Sequence, residues 1–452
     1  MVRAGMIPAR TFQKFGGAAA GLLLAAAPLP SSAATSASAI KAAPVATAVG
    51  SGSEITDFYR ARGGRPLWLA PQSHGAVQLL LGLLNSASAD GLDPDRYQIA
   101  KIGDALRSAQ RGDRRSVDRA EMLLSQAFVA YARDLRRAPN IDIVYVDREL
   151  VPAPPPARYL LEGAAGAPSL AVFVDSMGWM NPTYAQLRRA LVNRSFSDDQ
   201  QRRILMLNLE RARALPAGNL RYVLVNAAAQ RLFMYEDGKL VDSMRVVVGK
   251  PKYPTPMMNA FIRAAALNPY WNVPPDLAAE RIAPHVVKQG VRYLTDNGYE
   301  LLSDWTENAS VIDPGNVDWQ AVADGTVEVR IRQLPGPNNG LGKMKFLFPN
   351  REGIFLHDTP ERQLLSEASR LYSGGCIRLE DAARLARWLF GRDLEKQGDE
   401  PEQIVGIPTL VPLYVTYLTA VPDGSSIAYF DDVYGRDAAR LAAFDAGHRA
   451  TR

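Results

Sequence analysis

Cysteine is almost missing from this chain: among 452 residues there is one, Cys376. A lone cysteine forms no intrachain disulfide, so covalent staples play no part in the fold. Histidine is nearly as scarce, with His74, His285, His357 and His448 scattered along the sequence. That scatter excludes a Cys/His zinc cluster, no carboxylate spacing suggests another metal, and no cofactor is expected. Long apolar runs are lacking too. The one candidate, Phe15 to Pro30, is short for a bilayer span. Strong charge of one sign is also missing. The formal net charge is +5, and no basic run is interleaved with aromatics. This excludes a nucleic-acid-binding surface and suits an acidic polymer nearby.

What is present begins with Arg3, Arg10 and Lys14 ahead of that apolar run, with small residues and Ala37-Ser38-Ala39 behind it. This layout predicts a signal peptide over 1–39, rather than an uncleaved anchor, and hence an exported protein. Residues 40–53, rich in Ala, Gly, Ser and Val, read as a flexible leader. Helical spacing then dominates from 54 to 215, as in AVQLLLGLLNSAS and the two runs Tyr184–Val192 and Asp198–Leu215. At Asn219 the period changes to two. Tyr222–Asn226, Gln230–Tyr235 and Lys239–Val248 read as successive strands, with Glu236-Asp237-Gly238 as a hairpin turn. The fold class is therefore α+β, helical first and strand-rich after. Pro275 and Asp276 open a helix towards Lys288, and Val291–Trp305 reads as strand-turn-strand. The glycine-rich stretch Gly336–Lys343 is not a phosphate loop: its spacing is one residue too long, and Met344 stands where a magnesium-binding hydroxyl is needed.

The chemistry gathers in Phe355–Arg378, FLHDTPERQLLSEASRLYSGGCIR. An exported free thiol is a liability unless it is used, and a thiol needs a base to attack at neutral pH. Imidazole is the usual one. His357 stands at the exit of an apolar run, Gly353–Leu356. Ser373-Gly374-Gly375 precedes Cys376, and two glycines permit a sharp turn and close approach of a carbonyl. The N–H groups of this turn are candidates for an oxyanion hole. The spacing of Leu379, Ala382, Leu385, Ala386 and Leu389 is helical, so Cys376 is expected just before a helix start, where the dipole favours thiolate.

His357-Asp358-Thr359-Pro360, a spacer, and Ser373-Gly374-Gly375-Cys376-Ile377-Arg378 resemble the signature of the L,D-transpeptidases, the YkuD-type catalytic domain. Many members carry a second histidine where Gly374 stands. That departure, with HDTP and Arg378, resembles the YcbB-like periplasmic subgroup. The run NLRYVLVNAAAQRLFMYEDGKLVDSMRVVVGKPKYPTP resembles the opening of the same catalytic domain, and the ADGLDPDRY region resembles the subgroup's scaffold. The resemblance implies a helical scaffold domain (54–215), a β-sandwich catalytic domain (216–436) with a capping insertion (268–319), and a C-terminal tail (437–452). It leaves little room for a peptidoglycan-binding module between scaffold and catalytic domain.

By the same resemblance, Cys376 is the nucleophile, His357 the base, and the backbone around Gly375 the oxyanion holder. Ser373, Gly374, Arg378 and Trp271 are candidate substrate contacts. Arg378 is either a pocket residue or a salt bridge on the following helix, and Trp271 either lines the donor pocket or sits in a core. The implied partners are peptidoglycan stem peptides, a tetrapeptide donor and a diamino-acid acceptor. Cell-wall synthesis proteins are possible partners, and carbapenems are implied inhibitors. Carboxypeptidase or D-amino-acid exchange chemistry would use the same site, and a catalytically silent wall-binding scaffold would carry the motif as a relic.

Overall fold

The computed structural model describes residues 48–306 and 308–450. The expected signal peptide, and the leader as far as residue 47, lie outside the described residues. Helix α1 (Ala48–Ala61) begins inside the stretch expected to be a flexible leader. Its Glu54 accepts the N–H of Ala157, which ties it to α5 (Ala157–Gly166).

The helical region continues through α2 (Ala76–Asn85), α3 (Ile99–Ala109), α4 (Arg114–Leu135), α6 (Leu170–Asp175), α7 (Pro182–Val192) and α8 (Asp199–Ala212). Starts are set by short polar side chains, which satisfy N–H groups that no helical turn can reach. Asp113 caps α4, Asn181 caps α7 with Pro182 behind it, and Asp198 caps α8. Leu124, Phe128, Tyr131 and Leu135 form the buried stripe of α4. The ADGLDP turn has a specific anchor. Asp90, buried, accepts from Tyr131, from Tyr184 at 2.6 Å and from Arg188 Nε at 2.8 Å. Three partners offset the desolvation of that carboxylate and draw α4, α7 and the turn together.

A short strand, β1 (Val144–Tyr145), precedes the strand-rich half. There β2 (Tyr222–Asn226), β3 (Arg231–Glu236) and β4 (Lys239–Gly249) follow as a meander. Asp237 and Gly238, at φ 49° and 72°, make the two-residue turn between Glu236 and Lys239, the conformation that matches strand twist. Next come β5 (Met258–Leu267), then β6 (Trp271–Val273), β7 (Tyr299–Leu302), β8 (Val311–Ile312) and β9 (Arg330–Gln333). They are followed by β10 (Met344–Leu347), β11 (Leu356–His357), β12 (Leu371–Ser373) and β13 (Ile377–Leu379). The last strands are β14 (Gln403–Thr416) and the hairpin β15 (Ala420–Asp423) and β16 (Ser426–Tyr429).

The main sheet runs β1-β5-β10-β11-β13-β4-β3-β2-β14, and β14 pairs again with β5. The two layers expected of a sandwich are thus joined by hydrogen bonds into a closed ring, which leaves no open edge between them. Its interior holds Val223, Val225, Leu232, Val246, Phe346, Leu356, Ile377 and Leu413. All of β2 is buried because it is covered on both sides. Val223 and Val225 face the ring interior, while Tyr222 and Leu224 join Tyr414, Leu418 and Ala420 in the helical core.

A second sheet, β6-β9-β7-β8, forms a cap with its own core of Val273, Leu277, Ile282, Val286, Leu294, Trp319 and Ile331. Since β9 pairs with both β6 and β7, the cap extends to Gln333, past the boundary expected at 319. The helix opened by Pro275 is α9 (Pro275–Leu277), a π turn over Ala278–Ile282, and α10 (Ala283–Gln289). Val291–Trp305 departs from the expected strand pair: α11 (Arg292–Asp296) precedes the strand β7. Leu294 buries in the cap core and Tyr293 stacks on His285, at 4.9 Å between ring centroids, so packing overrides the β-like composition. A further short helix, α12 (Trp319–Ala323), belongs to the cap; α13 (Ala382–Phe390) and α14 (Arg436–Ala450) do not.

Candidate active site

Strand register brings His357 and Cys376 out on one face. The parallel pair β11–β13 sets Leu356 against Ile377 and His357 against Arg378. Side chains alternate along a strand, so Leu356 and Ile377 enter the ring interior while His357 and Arg378 face the other way. Cys376, one residue before β13, has the parity of Arg378 and comes out on the face of His357. The histidine is buried and the cysteine partly exposed.

The imidazole is held in one tautomer. His357 Nδ1 lies 2.6 Å from the Asp358 carbonyl oxygen, an acceptor, so Nδ1 carries the proton and Nε2 keeps its lone pair. Burial pushes its pKa down to about 3, and the Arg378 guanidinium opposes protonation further. The register explains the second effect: His357 lies between Arg378 on β13 and Lys345 on β10. Arg378 pairs with Glu361, and Lys345 with Glu402 at 2.8 Å. Burial likewise pushes the Cys376 thiol up, against the opposing influence of a Phe355 backbone hydrogen bond and of Arg378. Cys376 Sγ donates to the Gly353 carbonyl at 3.6 Å. Both shifts favour the neutral thiol and the neutral imidazole. Such a pair transfers a proton as attack occurs, instead of storing a thiolate beforehand.

The helix-dipole expectation for Cys376 is corrected. Strand β13 intervenes, Leu379 pairs with Val246, and α13 starts only at Ala382 under the Asp381 cap. The dipole effect fades within a turn and does not activate this thiol. Glu380 is taken up by Arg245.

The SGGC turn is braced from inside. Ser373, expected as a substrate contact, turns its hydroxyl inward: Oγ donates to the Cys376 carbonyl and accepts the Gly375 N–H at 3.1 Å. Gly375 has φ 112°, a conformation that side-chain-bearing residues rarely adopt, and a Cβ on Gly249 would collide with the Tyr253 carbonyl oxygen and lie 3.1 Å from Gly375 Cα, so both positions require glycine. The Gly375 carbonyl accepts from Thr255 Oγ1 at 2.8 Å, and the same Oγ1 accepts the Gly249 N–H at 2.9 Å. Thr255 is fully buried, and Tyr434 donates to the Gly249 carbonyl at 2.7 Å. Thr255 was not legible as a site residue. Its one trace is a small hydroxyl between two prolines, Pro254 and Pro256, right after a strand end.

The cap reaches this turn. A Cβ on Gly374 would lie 2.9 Å from Leu277 Cδ1, so Leu277 occupies the space that a larger residue would need. Glu280, in the π turn, pairs with Lys250 and Lys252, and Arg281 donates to the Tyr372 carbonyl at 2.9 Å. Arg378 is not on a helix: it sits buried in β13 and is committed to Glu361. Trp271 is half-buried beside the cap core, with its ring against Gly340.

Residues 220–396, which include both His357 and Cys376, match the model of the L,D-transpeptidase catalytic domain, and residues 53–191 match that of a scaffold domain. A putative L,D-transpeptidase of Haemophilus influenzae is 30% identical over 275 residues, 59% of this chain and 55% of that relative. The chain thus spans about half the length of the curated relative it matches. Among solved structures, an L,D-transpeptidase from Mycobacterium smegmatis is 15% identical over 44% of this chain and 59% of that one, with a TM-score of 0.22. The L,D-transpeptidase LdtMt1 in complex with imipenem is 13% identical over 44% and 60%, also at 0.22. The strand-rich half of this chain is an L,D-transpeptidase catalytic domain, preceded by its scaffold domain.

Proposed function

We propose that the protein is an exported, periplasmic L,D-transpeptidase that crosslinks peptidoglycan stem peptides through a thioester on Cys376. One observation carries the reading: the catalytic-domain match encloses a lone thiol and a single-tautomer imidazole that strand register sets on one face. His357 Nε2 takes the thiol proton as sulfur attacks the carbonyl of the third residue of a tetrapeptide donor. The S–C bond forms, the C–N bond breaks, and the terminal D-Ala leaves with the proton that His357 returns. The side-chain amine of a diamino-acid acceptor then attacks the thioester, His357 removes its proton, and the thiol is restored as the new amide forms. Backbone N–H groups beside Cys376 hold the oxyanion in both steps.

Leu277 and the Glu280–lysine contacts place the cap at the catalytic turn, where it excludes water that would otherwise hydrolyse the thioester. Export rests on the basic-apolar-small pattern of 1–39. Acylation of Cys376 by carbapenems is part of the same reading, as are contacts with other wall-synthesis proteins.

The test is incubation of the purified protein with tetrapeptide muropeptides, followed by mass spectrometry. Crosslinked dimers are expected. A shortened stem alone would mean carboxypeptidase action, a swapped terminal residue would mean exchange, and no product would overturn catalysis.

A further inference from the structure

We propose that Thr255 is a positioning residue that aims the Cys376 N–H as the principal oxyanion donor; this rests on the reading of Cys376 as an acyl-forming nucleophile. The Gly375 N–H is already given to Ser373 Oγ, which leaves it poorly placed for a substrate oxygen. The Cys376 N–H, by contrast, donates to no group among the described residues. Its direction follows from the peptide it belongs to. A trans peptide is planar, with its C=O and N–H pointing opposite ways, and no described peptide is cis. Thr255 Oγ1 holds the Gly375 C=O at 2.8 Å on the side of Gly249. The Cys376 N–H must then point away from the Thr255 hydroxyl.

A glycine at φ 112° has little intrinsic preference for this plane. Something has to hold it, and Thr255 is fully buried with both capacities of its hydroxyl in use: it accepts from Gly249 and donates to Gly375. Gly249 is held in turn by Tyr434, so the support reaches from the nucleophile to the C-terminal segment. Preorganised donors stabilise the developing oxyanion without reorganising during the reaction, and that advantage is lost if the plane can rotate.

The experiment compares two reactions of the same thiol in wild type, Thr255→Val and Thr255→Ser. Iodoacetamide alkylates sulfur by displacement, with no oxyanion. p-Nitrophenyl acetate acylates it: the S–C bond forms, the aryl ester C–O bond breaks, p-nitrophenolate leaves with the electron pair, and His357 takes the thiol proton. Neither reagent is a stem peptide, so the result is independent of whether stem peptides are the substrate. For Thr255→Val, acylation should fall by about tenfold or more, with alkylation close to wild type. Thr255→Ser should restore acylation. Thr255→Ala, which removes the hydroxyl without adding a methyl, repeats the comparison if the valine variant does not fold. An equal fall in both reactions, or no fall in acylation, overturns the proposal.

Discussion

At the scale of single residues, the site is a pair kept neutral by its surroundings. The pH dependence of both groups follows. The thiol is raised by burial, so the thiolate fraction should grow about tenfold per pH unit throughout the neutral range. Iodoacetamide inactivation should therefore climb with no inflection near the ordinary imidazole value and no plateau before pH 9. A plateau starting at pH 5 or 6 would reveal a stored ion pair and contradict the neutral resting state. The histidine acts on stability. Its folded pKa, about 3, lies below the unfolded value. The unfolded chain then binds more protons between the two values, so stability is lost as pH falls from about 6.5 towards 3, at up to about 1.4 kcal/mol per unit. Urea unfolding at pH 7 and pH 4.5 should show a smaller acid penalty for His357→Gln than for wild type; equal penalties would count against this origin. Cys376→Ala should abolish acyl transfer, and intact-mass measurement after imipenem should give one adduct on wild type and none on this variant.

On the proposed reading, it is at the scale of elements that a Cys376 thioester would be given to water or to an acceptor. The cap touches the catalytic turn through Leu277 on Gly374, Arg281 on the Tyr372 carbonyl, and Glu280 between Lys250 and Lys252. Solvent-accessible ion pairs are each worth only about 0–1 kcal/mol, so the apolar contact is the stronger part of this closure. Leu277→Ala should loosen the cap where it covers the turn, and Glu280→Gln should act more weakly. The measurement is the ratio of crosslinked dimer to hydrolysed tripeptide, which should fall in that order. An unchanged ratio in a folded Leu277→Ala protein would leave the cap with recognition alone. Gly374→Ala approaches the same contact from the other side. Its Cβ would force Leu277 back by several tenths of an ångström, and the ratio should fall there as well.

For the whole molecule, the scaffold and the catalytic ring share one interior. Tyr222, Leu224, Tyr414 and Leu418 project from the ring into the helical core, and Tyr222 stacks on Tyr235 at 4.5 Å. A buried ion pair joins Arg211 of α8 to Asp437 of α14, and Thr419 donates to the same carboxylate. Removing one partner of such a pair costs roughly 3–5 kcal/mol, since the other charge stays buried. Arg211→Ala should therefore lower the thermal midpoint of the entire chain, not of the helices alone. Residues 216–436 expressed without the helices should expose those four side chains and fail to give a cooperative unfolding transition. A well-folded fragment that unfolds sharply would refute the shared core.

The sequence by itself determined the two-part α+β plan and the early strand meander with its Asp-Gly turn, and it singled out His357 and Cys376 as candidates. Those depend on local periodicity, turn chemistry and the rarity of cysteine and histidine, all of which are properties of neighbours in the chain. Only the tertiary structure decided the rest. The ring closes because β14 returns to β5 from far along the chain. Leu379 enters a strand instead of extending α13 because Val246 is there to pair with it. Ser373 is spent on the turn, Arg378 on Glu361, and Thr255 emerges as the support of Gly375. Each of these outcomes depends on a partner that packing brings from a distant part of the chain, and helical or strand periodicity carries no record of which partner that will be.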